Sequence, residues 1–112
     1  MRGPLLALAM LLSTAATAQQ PHSPRECREG SDFIRNAALS RDSGATREFF
    51  VGRLEEDLLT IQAFPPSLRW FVHNTEDEVF LRGEVEAVFD LPQSSEQHRA
   101  DFFARCSKRA ER

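Results

Sequence analysis

The sequence predicts a small all-α domain, a bundle of about four helices closed by one disulfide. Three observations lead there. Helix-start signals recur at Ser23, Thr46, Thr75 and Ser94; Pro65-Pro66 and Pro92 interrupt the segments between them; and the only two cysteines, Cys27 and Cys106, stand near the two ends of the domain. A hydroxyl at a helix start accepts from backbone N–H groups that the first turn leaves without partners, and a proline cannot continue a helix into its own position.

The first eighteen residues are set apart from this domain. Arg2 is a positive n-region, Leu5 to Leu12 an apolar run, and Ala16-Thr17-Ala18 a small-x-small cleavage site, the three zones of a secretory signal peptide. The apolar run ends before Gln19-Gln20, short of the roughly 20 residues a spanning helix needs. Cleavage after Ala18 leaves 94 of the 112 residues: a polar tail, 19–22, and one domain, 23–112. No stable membrane insertion is expected after cleavage. Without Arg2 the chain carries 13 basic against 17 acidic side chains, a net charge near −4. That balance disfavours nucleic acid and anionic membrane as partners. Twelve of the 13 basic residues are arginine, and with the simple export signal this favours the bacterial periplasm over other secretory destinations.

Within the domain, Ser23 caps the first helix, Pro24 fits its first position, and Glu26 completes a capping box. Cys27, Ile34, Ala37 and Ala38 form its apolar side, with Phe33 a further candidate. The helix ends near Arg41, where Asp42-Ser43-Gly44 supplies a turn and a glycine able to adopt positive φ. Thr46 opens the second helix, with Phe49, Phe50, Leu54, Leu58 and Ile61 at helical spacing, and Pro65-Pro66 ends it. Residues 67–73 fit a short helix, a strand or a packed loop. Thr75 with Glu78 caps a third helix over about 76–90, its apolar side read from Val79, Phe80, Gly83 and Ala87. The alternation of Val85, Ala87, Phe89 and Leu91 supports a rival α+β reading, with a hairpin between residues 70 and 88. Ser94 with Gln97 caps the last helix, on which Arg99, Phe102, Phe103, Cys106 and Ala110 share a stripe.

An even cysteine count in a small exported chain reads as a bridge. Joining Cys27 to Cys106 would set the first and last helices side by side, most simply antiparallel. Two buried free thiols or a redox pair are the alternative, but reactive pairs usually sit close in sequence, as in C-x-x-C.

No catalytic, cofactor-binding or metal-binding signature emerges. His22, His73 and His98 form no H-E-x-x-H or other i, i+4 ligand pair. His98 beside Glu96 and Asp101 reads as a solvated residue of a first turn sooner than as a surface metal site. The runs Glu55-Glu56-Asp57 and Glu76-Asp77-Glu78 offer paired carboxylates, yet nothing in the sequence marks one as desolvated, and the second run suits a helix N-terminus. No nucleophile elbow or phosphate-cradling glycine loop is present. The remaining feature is Phe64-Pro65-Pro66 with Leu68, Trp70 and Phe71: aromatics beside stiff backbone, which protein interfaces use as anchors and small cores use as filling.

Cys27, the Arg41-Asp42-Ser43-Gly44 turn, Val88-Phe89-Asp90-Leu91-Pro92 and Cys106 together resemble small exported proteins of proteobacteria that begin and end their domain on cysteine and carry an R-D-x-G turn. The resemblance implies compartment, disulfide and helical fold, and carries no activity or site. A looser likeness of organisation is to periplasmic acid-stress chaperones and periplasmic immunity proteins. The expectation is a non-enzymatic exported module that binds another protein in the manner of an inhibitor or immunity protein. The alternatives are a holdase-like stress chaperone and, with no positive support, an enzyme.

Overall fold

The structure is a computed structural model that describes residues 21–111. The signal-peptide reading of residues 1–18 lies outside them. Four helices follow in chain order, α1 Pro24–Asp42, α2 Arg47–Gln62, α3 Thr75–Asp90 and α4 Ser95–Ala110, with a single 3-10 turn at Pro66–Leu68. No strand occurs among the described residues, so the hairpin reading of 70–88 is replaced by α3 and the irregular segment before it. The acidic first turn of α3, Glu76 to Glu78, decides the competition by complementing the helix dipole.

The caps form much as the residue types require. Ser23 Oγ accepts from the Glu26 N–H at 3.1 Å while Glu26 Oε1 accepts from the Ser23 N–H at 3.0 Å. Thr46 and Ser94 each accept from the N–H three residues on, Phe49 and Gln97. The third cap differs from expectation. Asn74 is the capping residue and accepts from the Asp77 N–H at 2.9 Å, and Thr75 is the first helical position. An amide oxygen caps as well as a hydroxyl, and shifting the start by one residue makes Asp77 the third helical position. After α1 the chain turns on Gly44 at φ +107°, a conformation that costs a residue with a Cβ and glycine nothing.

Helices α1 and α4 are antiparallel neighbours. The Cys27–Cys106 disulfide joins the start of one to the end of the other, with Cα atoms 5.6 Å apart. Farther along, Arg99 pairs with Asp32 at 3.1 Å and Arg35 with Glu96 at 2.6 Å. A Cβ built on Gly30 would lie 2.6 Å from Phe102 Cε1 and 3.2 Å from Phe71 Cδ2, so the glycine is what lets the Phe102 ring lie against α1.

The core contains Ile34, Ala37 and Ala38 of α1, Val51, Leu54 and Leu58 of α2, Leu81, Val85 and Val88 of α3, Phe102 and Cys106 of α4, with Phe71 and Val72 from the preceding segment. Two stripes are rotated from the sequence reading. In α3 the buried set is Asp77, Leu81, Val85 and Val88, while Val79 and Gly83 face solvent. In α4 it is His98, Phe102 and Cys106, and Phe103 is turned outward. His98 is therefore no solvated first-turn residue: it is buried, with Nε2 3.1 Å from the Leu91 carbonyl oxygen.

Arg41 and the 88–93 segment, the two short motifs of the sequence, meet in space. The guanidinium donates to the Val88 oxygen at 2.7 Å and the Gln93 oxygen at 2.8 Å, with a longer contact to Leu91 at 3.4 Å. It thus supplies donors and positive charge to the carbonyls at the end of α3.

Candidate functional site

The residues singled out in the sequence do not form one face. Phe64 and Leu68 project to solvent, 47% and 72% exposed, on the turn between α2 and α3. Trp70 is half-buried and packs edge-on to Phe33, ring centroids 5.5 Å apart. Phe71 is wholly buried, touching the rings of Phe80 and Phe102. It belongs to the core and cannot reach a partner, because the irregular chain at 71–72 turns both Phe71 and Val72 inward. The carboxylate runs divide similarly. Glu55 faces Arg82 at 3.6 Å and Glu78 accepts from Gln62 at 2.8 Å, whereas Asp77 is buried.

Two arrangements remain. The first is an apolar groove along α2. Phe50, Leu54, Leu58 and Ile61, at helical spacing, turn one side of α2 toward Phe33, Leu81 and Trp70. Phe49, Arg53 and Asp57, each four residues on from the last, form its outer lip. The groove consists of two adjoining depressions of about 260 and 190 Å³ that share Phe33, Leu54 and Asp57. It exists because α2 packs principally on α3, leaving open the side turned toward α1. Phe49 at its lip is 60% exposed, and exposed aromatics beside a recess are a recurrent feature of protein interfaces.

The second is a polar cluster beside the disulfide, which the sequence reading missed. His22, placed in the polar tail, is instead buried: its ring stacks on Phe71 at 3.9 Å and its Nε2–H donates to the Phe71 carbonyl at 2.7 Å. Its Nε2 also lies 3.5 Å from Asp77 Oδ2. That same oxygen accepts from the His73 N–H at 2.9 Å, and Asp77 Oδ1 accepts from Arg109 at 3.3 Å. Arg109 lies over the Phe80 ring, 4.2 Å from its centroid. Glu26, whose Oε1 closes the α1 cap, places Oε2 2.8 Å from His73 Nε2. Three segments far apart in sequence thus share one hydrogen-bonded cluster. The reading of no i, i+4 ligand pair in the sequence does not hold: His73 and Asp77 stand four residues apart across a helix start, and that spacing was the one available signal. Nothing near His22 in the sequence announces its burial.

On the surface, Arg105 grips Glu84 with two hydrogen bonds of 2.8 and 2.7 Å, which raise its guanidinium pKa further. This bidentate pair ties α4 to α3.

No protein-family model matches the chain, and neither a curated protein nor a solved structure matches it. Among the described residues, no helix is long and apolar enough to cross a membrane.

Proposed function

We propose that the protein is an exported, non-enzymatic module that binds another protein through the groove along α2, in the manner of an inhibitor or immunity protein. The observation that carries this reading is the groove itself: an aromatic and aliphatic floor from Phe33, Phe50, Leu54 and Trp70, with Phe49 standing exposed at the lip. Other large apolar side chains are exposed too, Leu59 and Leu68 among them, but Phe49 is the one that lines this groove, and burial of even one aromatic in a desolvated pocket supports an interface hot spot of about 2 kcal/mol or more. Export is supported by the signal-like N-terminus and by the disulfide, since such bonds persist in oxidising compartments such as the periplasm.

The test places a photo-crosslinking residue at Phe49 and, separately, at the exposed α3 position Val79, in cells that export the protein. One saturable, stoichiometric adduct from position 49 and none from 79 supports the reading. Suppression of aggregation of unrelated unfolded clients, without a stoichiometric complex, would instead support a holdase-like chaperone.

A further inference from the structure

We propose that His22, His73 and Asp77 form a binding site for a divalent ion of the zinc class. One potential ligand atom from each residue lies within 4.8 Å of the others. The donor set, two imidazoles and a carboxylate, suits zinc and its neighbours and does not suit calcium or magnesium, which prefer all-oxygen sites.

Three details of the geometry favour the ion. First, His22 Nε2 and Asp77 Oδ2 are 3.5 Å apart. That is close to the edge of a tetrahedron whose bonds are about 2.0–2.1 Å, the usual lengths from zinc to nitrogen and oxygen. Second, the outer partners are already in place. His73 Nε2 meets Glu26 Oε2 at 2.8 Å, so Nε2–H donates to the carboxylate and Nδ1 is left as the ligand atom. A histidine tied through its other nitrogen to a carboxylate is the common arrangement around bound metals, and an Arg109 hydrogen bond on Asp77 Oδ1 orients the ligating carboxylate in the same sense. Third, the carboxylates are placed to attract a cation: Asp77 and Glu26 both face the histidines, while Arg109 pairs with the outer oxygen of Asp77 and Arg69 is engaged by the Phe64 and Gln62 carbonyls.

His73 and Glu26 also line a surface depression with Pro66, Ser67 and Arg69, so the cluster meets solvent on its His73 side. Ligation through Nε2 gives up the hydrogen bond to the Phe71 carbonyl, and by exchange with solvent the imidazole proton moves from Nε2 to Nδ1, so that His22 binds as a neutral ligand with no net release of a proton. The bound ion would then pin His22, which precedes the first helix, to the start of α3.

The experiment uses the mature chain from Gln19 with its disulfide intact, freed of metal by a chelator and titrated with zinc chloride. Calorimetry and the imidazole proton resonances are followed together. One equivalent of zinc is expected to shift His22 and His73 but not His98, which lies apart against Leu91. His73→Ala is expected to abolish this binding, and Glu26→Gln to weaken it by about 10–100-fold, with circular dichroism verifying that both variants stay folded. The wild-type resonances decide the matter even where a variant does not fold. Zinc that leaves both resonances unmoved, or that binds His73→Ala as tightly as the wild type, overturns the proposal.

Discussion

The Arg41 guanidinium at the end of α1 donates to the Val88 carbonyl at the end of α3, 2.7 Å away and 47 positions along the chain. One side chain thereby secures the end of a helix and holds the α3–α4 connection against α1. Hydrogen bonds from charged donors contribute about 1.5–3 kcal/mol each, and two short ones are present. Arg41→Met is expected to lower stability by roughly 2–4 kcal/mol, measured by urea denaturation. Arg41→Lys should restore only part of the loss, because an ammonium cannot reproduce the fork. A melting curve for Arg41→Met that matches the wild type would remove the role assigned here.

The disulfide spans 79 positions. Constraining a loop of that size in the unfolded chain is worth about 4–5 kcal/mol in the chain-entropy model, against about 5–15 kcal/mol for a whole domain. Replacing both Cys27 and Cys106 by Ala should shift the urea midpoint strongly downward and leave a far-ultraviolet spectrum that is still helical at low temperature. Mass spectrometry of the native protein should show a gain of two hydrogens on reduction.

Gly30 and Gly52 both lie inside helices but should respond oppositely to alanine. At Gly30 the new methyl would meet Phe102 at 2.6 Å, and such overpacking costs about 1–3 kcal/mol. At Gly52 nothing lies within 4 Å of the added atom, so the gain in helix propensity, up to about 1 kcal/mol, is realised. Thermal unfolding of the two single variants tests the pair, and an equally stable Gly30→Ala would mean that α1 and Phe102 are less closely apposed.

Trp70 and Phe49 separate stability from binding at the groove. Trp70 packs on Phe33 and Phe71, so Trp70→Ala should cost about 2–4 kcal/mol of stability. Phe49 is mostly exposed, and Phe49→Ser should leave stability within about 0.5 kcal/mol of wild type. If Phe49 anchors the partner, that variant should nonetheless lose about 30-fold or more in affinity. Chemical denaturation and pull-down yield on the same preparations make the distinction.

His22 supports a prediction for the N-terminal segment. Removing its ring by His22→Ala leaves the Phe71 carbonyl without its donor and uncovers the Phe71 ring. A buried polar group left unsatisfied costs about 1–3 kcal/mol. Amide hydrogen exchange should show lost protection confined to residues near 22–24 and 71–77, with the α1–α4 pair unaffected.

Much of the architecture is local chemistry and is written beside the residues it shapes. The Ser23–Glu26 box, the Thr46 and Ser94 caps, the Gly44 turn and the breaks at Pro65-Pro66 and Pro92 each involve groups within about four positions, so the sequence alone determined the number and order of the helices. The pairing of Cys27 with Cys106 followed from there being only two cysteines. Tertiary packing decided what depends on neighbours far along the chain. Successive helical residues point about 100° apart, so a reading displaced by one or two residues turns a position away from the core, as at Val79 against Leu81 and at Arg99 against His98. The burial of His22 arose the same way, through a flat ring on Phe71 and an acceptor nearly fifty residues away. The groove, too, belongs to the fold: it is open because α2 rests on α3 and stands off from α1, an arrangement set by the fit of whole surfaces and by no one residue's preference.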